Sequence, residues 1–525
     1  MAATGREKLI EAVADAEKLW DVVVVGGGAT GLGTALDAAS RGYKTLLLER
    51  ADFAKGTSSR STKLVHGGVR YLAQGNIGLV REALYERGLL LKNAAHLVKN
   101  ETFVIPVYDW WSSFIYTIGL TLYDLLAGKL SFGRSKPISK KETINRLPTI
   151  QQQHLKGGVI YHDGQFDDSR LAINLAQTCL EQGATVLNYF KVCGLIKTGG
   201  KVSGVMAKDM ESGKTYQIKS KTVINATGVF VDDLIQYDEP GKKPLVRSSQ
   251  GIHIVVDRSF MPGQDAIMIP KTDDGRVLFV VPWHGKLLIG TTDTPLNSHN
   301  LEPVALEEEI SFVMRTAAKY LNKELTRRDV RSVFAGLRPL AAPQEGSLKT
   351  KEISRSHKLI VSASGLITIT GGKWTTYRRM AQDTVDKAIE IGKLKPMPCI
   401  TKFLSIHGNK TGTDFNDPLY VYGSDREGLL ALINENPEWA AKLHARLNYT
   451  KAEAIWAVRH EMALTVEDVL ARRLRALFLD ARAAIELAPA VAALMAVEIN
   501  KDENWINSQI ADFNYVAEGY LLIGS

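Results

Sequence analysis

Cysteine is nearly absent: Cys179, Cys193 and Cys399 are the only three in 525 residues. Three scattered thiols exclude a disulfide framework and a cysteine-based metal site, and they fit a reducing compartment. The most apolar uncharged stretch, Trp110 to Tyr123, has 14 residues, short of the roughly 18 needed to span a bilayer. Glu7, Glu11, Asp15 and Glu17 crowd the first twenty positions, so neither a secretory signal nor a mitochondrial transit peptide is expected. No D-x-D-x-D-G calcium loop occurs, and no His, Cys and acidic residues stand at metal-ligand spacing. Basic residues form no run, although 65 Lys and Arg against 57 Asp and Glu leave a net charge of +8. Nucleic acid is not indicated by this pattern; an anionic small molecule or an anionic lipid surface fits it.

The composition is otherwise that of a folded chain, with 45% hydrophobic and 23% charged residues, which excludes wholesale disorder and fibrous classes. At about 150 residues per domain the length suggests three or four units. Asp21 to Val25, one acid followed by four valines, is a β-branched run that reads as a buried strand. Gly26 to Arg41 reads as a helix ended by Gly42, and Thr45 to Glu49 as a second strand, which completes a βαβ unit. Residues 63–100 read as helical after a loop, and 170–184 as a further helix. Runs at 252–256, 266–269, 277–281 and 286–289 are separated by turn dipeptides and predict an inserted antiparallel sheet. From about 410 the chain turns helical.

Gly26, Gly28 and Gly31 make G-x-G-x-x-G between strand and helix. The first permits a tight turn, the second a close approach to a pyrophosphate, the third close helix–strand packing. Glu49 ends the second strand, 18 residues after Gly31, where a carboxylate accepts hydrogen bonds from an adenosine ribose. To this point NAD and FAD both fit. The stretch Gly56 to Tyr71 is dense in hydroxyls, glycines and cations, which suits a second pass over a pyrophosphate and ribityl chain. A nicotinamide enzyme has no use for so long a second loop.

Taken with Val25–Gly33 and Gly56–Tyr71, five further motifs carry a resemblance over almost the whole chain. They are Asn225–Gly228, Gly251–Val256, Gly290–Asp293, Gly336–Leu340 and Gly371–Arg378. The sequence resembles the FAD-dependent, quinone-linked glycerol-3-phosphate dehydrogenases, within the wider glycine/D-amino-acid oxidase-type flavoproteins. The implied fold is α/β: a Rossmann-like FAD-binding domain, discontinuous in sequence, with an inserted antiparallel-sheet substrate domain and an all-α C-terminal domain. The expected division gives the FAD-binding domain 1–100, 156–240 and 346–395. An aromatic-rich cap takes 101–155, the substrate domain 241–345 and the helical domain 405–525.

The resemblance implies a substrate pocket of Arg70, Tyr71, His253, Arg338, Arg355, Lys373 and Thr376. Convergent cations suit a dianionic phosphate, with Arg70 and Arg338 as the leading clamp residues. The implied reaction takes sn-glycerol 3-phosphate to dihydroxyacetone phosphate by hydride transfer to flavin N5. His253 is the natural base by pKa, but it sits on an apolar strand and equally fits a buried core histidine. Lys373 or an arginine of lowered pKa is the alternative base, although a guanidinium is effectively always protonated. Arg338 and Lys373 thus join His253 as the expected catalytic residues, and Lys373 is also a candidate for stabilising reduced flavin. Flavin contacts are expected from Thr57, Ser58, Ser61, Lys63, Leu64, Ala226, Thr227, Gly228, Gly372, Lys373 and Thr376, besides the glycine fingerprint. His66 reads as structural and His162 as part of a turn.

The resemblance further implies electron transfer to membrane quinone and a peripheral place on the cytoplasmic side of a bacterial membrane; a homodimer is compatible with it. Trp110, Trp111, Phe114, Tyr116 and Tyr123, with Lys129 and Arg134 following, fit either a headgroup-facing surface or a helix packed in the core. In the C-terminal part Val466, Val469, Leu470, Leu474, Leu477 and Phe478 form one helical stripe. It places Arg475 and Arg482 on a solvated face and gives Arg473 a carboxylate partner. Three rival readings remain: an oxidase reducing oxygen, an FAD enzyme for another anionic hydroxy or amino acid, and a flavin-binding scaffold without activity.

Overall fold

The computed structural model describes residues 3–73, 75–273, 275–341 and 357–522. The strand Leu19–Val25 pairs in parallel with Thr45–Leu48 on one side and Thr215–Asn225 on the other. Thr185–Leu187 and Ile367–Thr370 extend the parallel sheet at its two ends. From Val22 to Val25 both faces of the first strand are buried, which is why that stretch is all valine. Val22 and Val24 join the core under the helices Ala29–Ser40, Asp168–Glu181 and Tyr377–Ile391. Val23 and Val25 join a core on the other face, with side chains of the antiparallel pair Phe190–Thr198 and Lys201–Asp209.

A second sheet is mixed and holds ten strands among the described residues. Val246–Asp257 lies between Lys286–Gly290 and Val330–Ala341, antiparallel to both. Val98–Val107 pairs with Gly157–Phe166 through the whole length of both and joins the rest through a parallel contact with Ala266–Ile269. Residues 157–166, grouped by sequence with the cofactor-binding part, therefore belong to this sheet. His162 is within a strand and not in a turn.

The expected helix over 63–100 is broken. Leu64–Val65 is a short strand, and helices Val69–Ala73 and Ile77–Asn93 come after it. Gly67 and Gly68 are the cause. Gly68 has φ +79°, and a Cβ on Gly67 would stand 2.6 Å from the Tyr123 hydroxyl, so the chain turns here beneath the helix Trp110–Ala127.

The C-terminal part carries the helices Arg426–Glu435, Lys451–His460, Ala481–Ile499 and Glu503–Glu518, with one hairpin of Lys442–His444 and Leu447–Thr450. The stripe from Val466 to Phe478 is apolar and buried as expected, but it is not one helix. A wide turn over Asp468–Arg473 gives way to Arg475 in the left-handed region at φ +60°. Ion pairs impose this shape. Arg473 has its expected carboxylate partner: its guanidinium bonds both oxygens of Asp52, and Arg472 Nε donates to the same carboxylate at 2.5 Å. Arg475, placed by helical phase on a solvated face, is buried and pairs with Asp167 at 3.0 Å. Arg170 and Glu461 form a fully buried fork at 2.7 and 2.6 Å.

Candidate active site

The C-terminal ends of the parallel strands open onto a cavity of about 810 Å³. Val25, Leu48, Ala226 and Ile369, each at or next to a strand end, line it. That crevice is where doubly wound sheets bind ligands. Gly26 makes the turn at φ +114°, and a Cβ there would meet the Ala226 carbonyl oxygen at 2.6 Å. Gly31 stands behind the wall, where its missing side chain lets the helix close on the Gly26 carbonyl. Gly28 faces the cavity at the start of the helix Ala29–Ser40. Glu49 also lines it; its two oxygens accept the Gly27 amide at 2.6 Å and the Ala51 amide at 2.9 Å. Burial pushes its carboxyl up, and those two amides oppose the shift.

Across from the glycines runs the hydroxyl-rich loop. Ser58 Oγ accepts the Ala29 amide at 3.0 Å, and the indole Nε1 of Trp374 donates to the Ser58 carbonyl at 2.8 Å. Thr57 donates to the Leu337 carbonyl at 2.5 Å, which ties the loop to the second sheet. Ser61, Leu64, Thr227, Gly228, Gly372 and Lys373 line the same cavity. Lys63 does not reach it. Its ammonium is buried behind the wall, 2.7 Å from both oxygens of Asp168. Thr376 also stands behind the wall, its hydroxyl 3.4 Å from the Lys373 carbonyl. A carboxylate at one strand end, a helix N-terminus between glycines and a hydroxyl-lined loop opposite make a cradle that fits FAD. Glu49, Gly26, Gly28, Thr57, Ser58 and Ala226 to Gly228 are the groups that would hold it.

The other side of the cavity is built by two adjacent strands. In their register His253 opposes Phe334, and Arg338 opposes Ser249. Arg338 donates to the Thr292 carbonyl and to Thr291 Oγ1, each at 3.0 Å, with the Asp293 carboxylate at 3.7 Å. Its side chain is 26% exposed. A Cβ at Gly251 would overlap its guanidinium, and one at Gly290 would overlap the His253 ring. These motif glycines therefore make room for the side chains of Arg338 and His253. His253 stacks on Phe334 with ring centroids 5.0 Å apart. Burial, then Lys63, then Arg338 hold its pKa well below the ordinary histidine value, so the ring is neutral at pH 7. Lys373 places its ammonium 4.0 Å from the centroid of the Tyr71 ring, and both residues line the cavity. Arg70 lies in the helix Val69–Ala73, but its side chain is outside the described residues, as is Arg355 altogether.

A family model described as FAD dependent oxidoreductase matches residues 21–378. A second, described as the C-terminal domain of alpha-glycerophosphate oxidase, matches 366–505. The chain is 39% identical to the mitochondrial glycerol-3-phosphate dehydrogenase of Macaca fascicularis, over 95% of this chain and 74% of that one. It is 38% identical to the protein of that name from Schizosaccharomyces pombe, over 95% and 87%. The chain belongs to the FAD-dependent glycerol-3-phosphate dehydrogenase family. The crystal structure of the Bacillus halodurans glycerol-3-phosphate dehydrogenase complexed with FAD superposes with a TM-score of 0.81 at 31% identity, covering 99% of this chain and 98% of that one.

Several residues of this family member's cavity escape sequence reasoning. Thr62 puts its hydroxyl 2.9 Å from His253 Nε2. Thr291 and Thr292 aim Arg338. Arg276 lines the cavity from a loop, and Arg50 lines it beside Glu49 with its guanidinium 3.9 Å from the Phe230 ring centroid. Arg50 carried a signal, a cation next to the strand-end acid. Thr62 carried none, because its partner is 191 positions away. His66 lines the cavity as well, and its amide is 3.3 Å from Thr375 Oγ1. No group of three His, Cys, Asp or Glu that could hold a metal occurs among the described residues.

Proposed function

We propose that this enzyme oxidises sn-glycerol 3-phosphate to dihydroxyacetone phosphate and passes the electrons to a membrane quinone. When bound, FAD supplies the two-electron redox chemistry that no side chain here can supply. The observation that carries the reading is that Arg338 and His253 stand on adjacent strands of one cavity wall. A guanidinium gives a phosphate charge-assisted, bidentate hydrogen bonds. A neutral imidazole beside it can accept the C2 hydroxyl proton. The two functions are coupled by charge: a dianion on Arg338 offsets the positive field that, with burial, lowers the His253 pKa, so substrate binding strengthens the base. The relatives' names support the substrate.

The acceptor reading rests on the helix Trp110–Ala127. Trp110, Trp111 and Leu125 are each at least 70% exposed, and Phe114, Ile115, Ile118 and Leu122 extend the apolar face. Leu120, Tyr123 and Ala127 are buried beneath. One face packs and the other presents aromatic and aliphatic side chains to solvent, the pattern of a helix lying in a lipid interface. No helix among the described residues is long and apolar enough to cross a membrane. Oxygen as acceptor is the second reading, favoured by the oxidase description of the family model over 366–505. Anaerobic addition of glycerol 3-phosphate to the purified yellow enzyme tests the substrate: bleaching is expected, and a flavin that stays yellow refutes it. Reoxidation then separates the acceptors. A short-chain quinone is expected to outpace oxygen, and stoichiometric peroxide with slow quinone turnover would make the enzyme an oxidase.

A further inference from the structure

The base has a difficulty of access. His253 Nδ1 is buried and finds no partner among the described residues. Its Nε2 is already 2.9 Å from the Thr62 hydroxyl. Both residues line the cavity, and the nitrogen that could take a proton is engaged by Thr62. That hydroxyl offers a proton leaving a substrate in the cavity a hydrogen-bonded path to the ring.

Thr62 is held with unusual firmness for a loop residue. On one side Ser61 gives its amide to Asp168 Oδ2 at 3.2 Å and its hydroxyl to the same oxygen at 2.7 Å. On the other side Lys63, in the left-handed region at φ +62°, puts its ammonium between the Asp168 oxygens and the Ser59 carbonyl at 2.5 Å. The Lys63 amide returns to Ser61 Oγ at 2.9 Å, and its carbonyl accepts from the Phe166 amide at 3.0 Å. Lys63 and Asp168 are both fully buried. Trp283, Phe334 and Phe478 surround the ammonium at 5.1 to 5.5 Å, and Phe334 is also the ring under His253. One buried ion pair thus fixes the residues on both sides of Thr62 and lies behind the ring that orients His253.

We propose that Thr62 is a proton relay between substrate and His253, with Lys63 and Asp168 as its positioning residues. This rests on the substrate reading given above. In the step, the C2 hydroxyl gives its proton to Thr62 Oγ1 while Thr62 gives its own to His253 Nε2. The oxygen's electron pair forms the carbonyl π bond as the C2 hydrogen leaves with its bonding pair, as hydride, to the flavin. Substrate is oxidised by two electrons, the flavin is reduced by two, and the ring ends as imidazolium. The relay requires Nε2 to be the bare nitrogen in the resting enzyme and the ring proton to sit on Nδ1.

The test compares Thr62→Val, which removes the hydroxyl at nearly constant volume, with Thr62→Ser, which keeps it. Each is loaded with FAD, checked by its flavin spectrum and followed by anaerobic stopped-flow reduction with glycerol 3-phosphate. The relay predicts at least a ~100-fold slower limiting rate for the valine variant, an apparent substrate affinity within about threefold, and serine within about tenfold of the parent. Adding His253→Asn to Thr62→Val should cost little more, because the two act as one unit. A valine variant reduced within threefold of the parent rate, or losses that multiply, would overturn it. The ¹⁵N spectrum of histidine-labelled holoenzyme supplies a readout independent of turnover, in which an Nε2–H tautomer for His253 likewise overturns the relay. A parent flavin that glycerol 3-phosphate does not bleach defeats the substrate reading, and the relay with it. A parent that bleaches alongside an equally fast valine variant defeats the relay alone.

Discussion

Arginine does two different jobs in this molecule, and surroundings decide which. In the wall between the parallel-sheet part and the C-terminal helices, Arg170, Arg472, Arg473 and Arg475 are at most 2% exposed. Each meets a carboxylate: Glu461, Asp52, or Asp167. In the cavity Arg338 donates to a carbonyl and a hydroxyl, has the Asp293 carboxylate at the longer distance of 3.7 Å, and is a quarter exposed. A buried charge needs its counter-charge from the same chain, because removing one partner leaves an uncompensated ion. A guanidinium on a cavity wall that keeps part of its surface exposed can still give a ligand charge-assisted hydrogen bonds. The first set holds segments together; for the second we propose substrate recognition.

The difference can be broken from either side. Asp52→Ala removes the shared carboxylate from Arg472 and Arg473 and is expected to have the largest effect, a loss of about 3–5 kcal/mol of stability. Denaturant unfolding of the holoenzyme measures it, and the surviving folded fraction should keep its apparent affinity for glycerol 3-phosphate. Arg338→Ala should do the reverse. Losing charged hydrogen bonds of about 1.5–3 kcal/mol predicts a KM raised roughly 10- to 150-fold, with the melting temperature nearly unchanged.

Two buried ionisable groups in the C-terminal part give smaller, pH-dependent effects. Glu453 caps the helix Lys451–His460 by accepting the Thr450 amide at 2.7 Å, and burial pushes its carboxyl up to about 7. An acid that is harder to ionise when folded favours the folded state while protonated. Its contribution therefore falls as pH rises from about 4.5 to about 7, and Glu453→Gln should flatten that slope in urea titrations. His407 works in the opposite charge sense. It lies between Glu181 at 2.5 Å and Asp425 at 2.7 Å, which raise it to about 9 against the cost of burial. Its stabilisation is full below about pH 6.5 and is lost as pH rises through 9, so His407→Gln should remove an alkaline loss of stability.

The range of each interaction decided whether the sequence made it legible. The Asp21–Glu49 unit was readable because its signals are local: β-branched residues, glycines at a fixed spacing, a helix-ending glycine and a strand-end acid. The antiparallel runs between 252 and 289 were readable from their turn dipeptides. Val98–Val107 was missed because its partner Gly157–Phe166 lies beyond a helical excursion, and because its start was read into the helix over 63–100 and its remainder into the aromatic-rich cap. Lys63 sat in a loop otherwise facing the cavity, and only the fold shows that Asp168 turns it inward. Arg475 was placed in solvent by helical phase, but the chain leaves the helix there to reach Asp167. In each case the deciding partner is distant in sequence, and no local pattern encodes that.

The most direct test of the account is substrate discrimination. Anaerobic flavin reduction by glycerol 3-phosphate and by unphosphorylated glycerol should be measured for the parent and for Arg338→Ala. If Arg338 is the charge held for the ligand, the parent strongly prefers the phosphorylated substrate, and the variant loses about tenfold or more of that preference. Its rate on glycerol should be nearly unchanged. An equal preference in both proteins would contradict the assignment of Arg338 to the phosphate and, with it, the division of the arginines into structural and recognising sets.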